Sequence, residues 1–301
     1  MGKDFWLTLK KTYHFFSSLL FGGKMIKEIK QELRKLHSIY DQFKISNEYR
    51  GWNWDRQPLK PRYYNVNLGV SEVAYYSCCP KEAISARLGE KQLTQAMLIG
   101  LALHEVFKAT SDDILKNISN KKAPWEIANK LLSSSENKIR NILLNYKDNV
   151  VLSYANSLIQ LYKAIVIEMV GDITSSYINS GSLISNLWLS EYQIDGSPLG
   201  LSKRLRADAI MNNIVVEIKL GNKYARWHEV QLAGYALALE SQNETPYDFG
   251  IIISVNLNPL LINVKGVYID DSLRQEFIES RDNMAEELIQ EKETFNGGDG
   301  L

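Results

Sequence analysis

The chain has 301 residues, of which 45% are hydrophobic and 23% charged. These proportions exclude global disorder and suit one large globular domain, or a core domain with a helical annex. Lysine plus arginine and aspartate plus glutamate number 35 each, so no whole-molecule field draws in nucleic acid and any such contact must come from a local patch. The two cysteines, Cys78 and Cys79, are adjacent. Neighbours of this kind rarely pair, which argues against a disulfide framework and fits a reducing cytoplasm.

Tyr13 to Gly23 loosely imitates a signal peptide, but its apolar run is too short to span a bilayer, and an amphipathic helix packed on the body is expected there. Trp6 occupies the position where a myristoylation motif requires Ser or Thr. Met25 to Phe43 places Ile29, Leu33, Leu36 and Phe43 at helical spacing. The segment GWNWDRQPLKPR, Gly51 to Arg62, is punctuated by two prolines and reads as a loop. Thr94 to Ala109 is apolar around nearly its whole circumference and predicts a buried helix. Trp125 to about Ser180 reads as helical throughout. From Leu187 the pattern changes: LWLSEYQI, KRLRADAIM and IVVEIKL are strand-like. Trp227 to Glu240 returns to helix, DFGIIISV and INVKGVYI give two more strands, and Ser272 to Glu293 closes as a charged amphipathic helix. The chain therefore divides into a helical N-terminal region at 1–48, a mainly helical segment at 49–186 and a sheet with helices at 187–301. The class is α/β or α+β, with no membrane-spanning segment.

The sequence RLRADAIMNNIVVEIKL reads as a hairpin turning at Asn212-Asn213, since Asn tolerates the positive φ angles of a type I′ turn. Pairing Met211 with Ile214 then sets Asp208 directly opposite Glu217 and Arg206 opposite Lys219. One face would carry only apolar residues, Leu205 to Met211 and Ile214 to Leu220 in alternation, and form the core. The other would carry Arg204, Arg206, Asp208, Glu217 and Lys219. Opposed carboxylates destabilise a sheet unless a charge cancels theirs. A hard divalent cation such as Mg²⁺ or Mn²⁺ would do so, with Lys219 placed to orient water or stabilise a phosphate. The competing reading is a solvated face on which Arg206 and Lys219 neutralise the acids.

Other residues bear on that choice. His104 interrupts the apolar run LIGLALHEVF, and Gln231 and Tyr235 stand at i and i+4 on one helix face. A lone histidine in such a run is commonly structural, but the order His, D…ExK, QxxxY is a constellation. Glu191 is a further acid on the preceding strand whose facing depends on register, and it stands outside this core set. Lys203, Arg204, Arg206, Lys219, Lys223 and Arg226 concentrate positive charge nearby, with Lys60 and Arg62 as extensions. Trp52 and Trp54 would stack on unpaired bases or anchor the loop to the body, the second being the preferred role.

His104, Asp208, the Glu217-Ile218-Lys219 triplet and Gln231 to Tyr235 resemble the motifs of RecB-type nucleases in the PD-(D/E)XK superfamily. GWNWDRQPLKPR and LGVSEVAYYSCCPKEA (Leu68 to Ala83) resemble the CRISPR-associated exonucleases of archaeal type I-A systems, and the likeness runs from about Gly51 to Tyr268. The resemblance implies a restriction-endonuclease-like mixed sheet flanked by helices, and a Mg²⁺- or Mn²⁺-dependent deoxyribonuclease, an exonuclease by type. It would process DNA for spacer acquisition beside the CRISPR integrase and its small partner subunit. Carried over, His104, Asp208, Glu217 and the Ile218 carbonyl would bind the metal. Lys219 would be the catalytic lysine, Gln231 and Tyr235 would support the site and touch the DNA strand, and Arg204 and Arg206 would contact DNA. A non-catalytic DNA-binding subunit, and a metal-dependent hydrolase of another substrate, are the alternatives. The family typically carries four cysteines for an iron–sulfur cluster, three of them near the C-terminus, where this chain has none. Two adjacent thiols cannot supply four ligands, so no cluster is expected, and Cys78 and Cys79 read as small buried residues.

Overall fold

A computed structural model describes residues 25–40, 44–89, 93–119, 123–180, 188–222 and 224–297. The expectations for Tyr13 to Gly23, Phe43 and Lys223 fall outside these residues. The elements are helices α1 (Met25–Tyr40), α2 (Val70–Cys78), α3 (Pro80–Leu88), α4 (Gln95–Ser119), α5 (Pro124–Leu144), α6 (Asn149–Ser153) and α7 (Ala155–Ser180), then strands β1 (Trp188–Ile194), β2 (Leu205–Met211) and β3 (Ile214–Leu220). Helix α8 (Arg226–Asn243), strands β4 (Phe249–Leu257) and β5 (Leu260–Tyr268) and helix α9 (Asp271–Gly297) follow. Among the described residues no helix is long and apolar enough to cross a membrane.

The five strands lie in sequence order, antiparallel except for the parallel pair β3 and β4. Parallel neighbours need a crossover, and α8 supplies it. Helices α1, α4, α5 and α7 build a core on one face with Met211, Val216, Ile218, Ile251 and Ile253. Helices α2, α8 and α9 build a second core on the other, with Val215, Ile252 and Val267. Both faces of the sheet are therefore covered, which is why IVVEIKL and DFGIIISV are near-continuous apolar runs rather than alternating ones. The mixed α/β sheet flanked by helices agrees with the sequence.

Local chemistry explains several element ends. Proline opens α3 and α5 in the first turn, where its missing N–H costs nothing. Asp148 caps α6 by accepting the Val151 N–H at 2.9 Å. Ile26 and Ile29 seat α1 against the helical core, and the Ile26 N–H donates to Glu168 Oε2 at 2.7 Å on α7.

Four sequence expectations need correction. Helix α4 is not buried all round, because Met97 and Leu101 are about half exposed. Helices α2 and α3 adjoin at Cys79. At their junction Cys78 and Cys79 are joined as a vicinal disulfide, Cys78 exposed and Cys79 half-buried. Pro80 starts a new helix there and leaves the pair on the surface. In the hairpin only Asn212 takes a positive φ, 53°. Finally, the apolar side chains of β2 do not share one face: Leu205 and Ala207 enter the α8 core, whereas Ala209 and Met211 enter the α4 core.

Glycine fixes the loop from Gly51 where it meets α8. A Cβ at Gly51 would lie 2.1 Å from the Leu237 carbonyl oxygen of α8, so the backbone passes through a gap that only glycine fits. The Gly51 N–H donates to Glu240 Oε2 at 2.8 Å, while Trp54 is 38% exposed. Glu240 is itself fully buried and grips Arg274 bidentately at 2.7 and 2.9 Å. Arg274 also donates to the carbonyls of Tyr49, Tyr247 and Ile269, and Arg50 bridges Glu240 to Asp248. Removing one partner of such a pair strands a buried charge. Arg274→Ala is expected to destabilise the fold by about 3–5 kcal/mol, read from denaturant midpoints. A change within experimental error would show that the network contributes nothing.

Candidate active site

The ladder between β2 and β3 holds for three pairs from the turn: Met211 with Ile214, Ile210 with Val215 and Ala209 with Val216. It stops short of Asp208 and Glu217. Beyond that point β2 pairs with β1 through Arg206 and Gln193, and β3 pairs with β4 through Glu217 and Ile252. The expected pairs Asp208–Glu217 and Arg206–Lys219 are therefore replaced by a gap. Asp208 Oδ2 accepts the Ile218 N–H at 2.7 Å, so a carboxylate takes a donor that a longer ladder would have paired with a carbonyl. On the opposite side Glu191 and Asp208 are both skipped by the β1–β2 ladder, although Ser190 pairs with Ala209 and Tyr192 with Ala207. Glu191 has φ of 53°, a local reversal at the level where the buried side chains of both strands change faces.

Three helical side chains close on this gap. His104 of α4 places Nδ1 at 3.2 Å from Asp208 Oδ1. Gln231 of α8 donates from Nε2 to Glu217 Oε1 at 2.8 Å and accepts from Lys219 Nζ at 3.0 Å. Lys219 Nζ also stands 2.7 Å from Glu217 Oε1 and 5.0 Å from the Trp227 ring centroid. Tyr235 lies one turn beyond Gln231, buried in the same helix. Glu217 Oε1 is thus doubly satisfied, while Oε2 is buried with no hydrogen-bond partner.

The electrostatics are asymmetric. Burial, reinforced by the Asp208 charge and only partly offset by Lys219, pushes the Glu217 carboxyl up to about 8. Asp208 feels burial too, but the His104 hydrogen bond and charge, Lys219 and the Ile218 N–H outweigh it and lower its pKa. Burial opposes the His104 imidazolium, yet Asp208 raises its pKa. His228, buried near Lys219, is depressed to about 4 and is neutral at pH 7. Burial and the Glu217 and Asp208 charges hold the Tyr235 phenol well above its usual range.

Of the residues picked out in the sequence, the structure brings His104, Asp208, Glu217, Lys219, Gln231 and Tyr235 together, with the Ile218 backbone at their centre. Arg204 and Arg206 are exposed beside the group rather than in it, and Arg206 stands 3.8 Å from Glu191. Cys78 and Cys79 lie at the α2–α3 junction. Glu191, Trp227 and His228 belong to the neighbourhood and were not selected. A ligand atom from each of His104, Glu191 and Asp208 falls within 4.8 Å of the others. Imidazole and carboxylate donors beside an unpartnered buried carboxylate oxygen suit a hard divalent cation such as Mg²⁺ or Mn²⁺.

The raised Glu217 pKa has a definite sign in the metal-free protein. From the model-peptide value of 4.5 up to about 8, the folded chain holds a proton that the unfolded chain has released, so stability falls as pH rises through that window. The loss is on the order of a few kcal/mol at 1.36 kcal/mol per pH unit. Glu217→Gln is expected to remove most of this slope in chelator-treated protein, measured by urea unfolding at pH 5.5, 7 and 8.5. Equal slopes in both proteins would contradict the neutral buried carboxyl.

Residues 24–294 match the family described as CRISPR-associated exonuclease Csa1. A protein of that name from Saccharolobus solfataricus is 30% identical over 245 residues, covering 79% of this chain and 82% of its own. Another of that name, from Thermoproteus tenax, is 28% identical over 267 residues, covering 85% of this chain and 87% of its own. With nearly its whole length matched, this chain belongs to the Csa1 family of CRISPR-associated exonucleases.

Proposed function

We propose that the protein is a Mg²⁺- or Mn²⁺-dependent deoxyribonuclease of the RecB-like PD-(D/E)XK type that processes DNA for CRISPR spacer acquisition. The observation that carries the reading is the break between β2 and β3. It juxtaposes an ionised Asp208 with a buried Glu217 that keeps one oxygen unpartnered, beside a lysine amine held at 2.7 Å. His104, Asp208, Glu217 and the Ile218 carbonyl would hold the cation. When bound, such a cation lowers the pKa of its water and neutralises charge on the scissile phosphate.

The chain's own residues do the positioning. Gln231 bonds both Lys219 and Glu217, so the amine and the carboxylate keep a fixed separation. The Trp227 ring near Lys219 Nζ adds a cation–π contact that helps hold the amine in place. Lys219 thereby presents a cation where charge develops on the phosphate oxygens, or donates to the attacking water. The depressed pKa of His228 keeps a second positive charge away from that amine. Arg204, Lys203 and Arg206 are exposed next to the site and supply the local positive field that a neutral chain otherwise lacks. The CRISPR integrase and its small partner subunit are the assigned partners, in the cytoplasm. The chain is assigned no iron–sulfur cluster, since Cys78 and Cys79 are joined to each other and even reduced would supply two thiolates where four are required. Iron and sulfide near background in anaerobically purified protein are expected, and stoichiometric values would overturn that assignment.

Digestion of end-labelled single- and double-stranded DNA with Mn²⁺ tests the central reading. Lys219→Ala is expected to lower the cleavage rate at least ~10²-fold with an unchanged melting curve, and chelator to abolish wild-type activity. Cleavage that persists without metal, or full activity in Lys219→Ala, would remove the basis for the assignment.

A further inference from the structure

Glu191 occupies the one position of β1 that faces Asp208, and both residues drop out of the ladder between pairs that hold on either side. Its φ of 53° is a left-handed backbone that carries a free-energy cost for any residue with a Cβ, least for Asn and Asp. Strain of this kind persists only where the surroundings impose it, and it concentrates at ligand sites. Here it accompanies a convergence: one oxygen each from Glu191 and Asp208 and one ring nitrogen of His104 lie within 4.8 Å of one another. The three donors come from β1, β2 and α4, so the grouping is tertiary rather than local. The neighbouring Arg206 is 3.8 Å away with a side chain 67% exposed, and a pair that open to solvent is weak compensation. A surface pair with Arg206 would also need no reversed backbone. Beside the cluster, the buried Glu217 adds an oxygen without a partner.

We propose that Glu191 is a ligand of the divalent cation held at His104 and Asp208, which extends the metal site onto β1. The assignment rests on the metal-dependent reading above. Two carboxylates and an imidazole fill half of an octahedral shell and leave the remaining positions for Glu217, the Ile218 carbonyl and a water or phosphate oxygen. On this view the left-handed residue in β1 is what turns the carboxylate inward, and the same residue in extended backbone would point away from Asp208.

The test is Mn²⁺ binding to the full chain, followed by calorimetric titration and by the spin-resonance signal of bound Mn²⁺. Glu191→Gln is expected to weaken Mn²⁺ at least about tenfold, and Asp208→Asn to lose binding at accessible concentrations. Glu191→Gly, which relieves the backbone, is expected to melt higher than wild type without metal and to lose most of the Mn²⁺-induced rise in melting temperature. If Glu191→Gln and Glu191→Gly bind Mn²⁺ as wild type does while Asp208→Asn does not, the Glu191 assignment is wrong and the metal-dependent reading stands. If wild type itself binds no Mn²⁺, both fall together.

Discussion

The hydrogen bond from the Ile218 N–H to Asp208 Oδ2 is the interaction on which the site depends. A sheet continued through this point would pair backbone with backbone and leave two acids side by side with nothing to separate their charges. Instead Asp208 takes the backbone donor itself, and beyond Ala209 and Val216 each strand pairs only with its outer neighbour. The gap admits His104 from one helical layer and Gln231 from the other. Because both layers bury the strands around it, the gap is dry enough to hold Glu217 neutral at pH 7 while Asp208 stays charged. Two carboxylates of similar intrinsic acidity are thereby split by environment alone.

Keeping that arrangement in place falls largely to α8. The helix is buried from His228 to Glu240, so it has no solvent face along which to slide. Its C-terminal half is tied by Glu240 to Arg274, Arg50 and the Gly51 backbone. In the middle, Gly234 lets the Phe277 ring approach to where a Cβ would sit 2.3 Å away. These contacts do not involve the reacting groups, yet they fix where Gln231 meets Glu217 and Lys219. Buried ion pairs are often no more stable than apolar replacements. Here the network sets a position that an apolar cluster of similar volume would leave adjustable.

Much of this could be read from the residues. The strands and α8 follow from period and composition, and the three hairpin pairs follow from the Asn-Asn turn. His104, Asp208, Glu217, Lys219, Gln231 and Tyr235 were identifiable because their spacings resemble a known constellation. What the sequence hid was the consequence of interrupting a period. Alternation predicted one apolar face for β2, but at the level of the reversal at Glu191 and the carboxylate of Asp208 the strand changes faces, with Leu205 and Ala207 in one core and Ala209 and Met211 in the other. Nothing in the letters SEYQ marks a positive φ at a glutamate, so the acid nearest Asp208 on β1 could not be assigned a side. Cys78 and Cys79 were misjudged for a related reason: their exposure depends on a helix break at Pro80 that composition alone did not weigh.

The interruption also explains why a neutral protein can carry such a site. Over the whole chain the charges cancel, but they are segregated by depth. Glu217, Glu240 and Asp248 are buried, whereas Lys203, Arg204 and Arg206 remain on the surface. With Glu217 neutral, and Glu240 and Asp248 paired with Arg274 and Arg50, these buried acids contribute little field outside. The exposed cations at the head of β2 are then left to set the sign of the surface beside the gap, within a Debye length of roughly 8–10 Å at moderate salt. A polyanion approaching this edge meets positive charge first and the carboxylates only at contact.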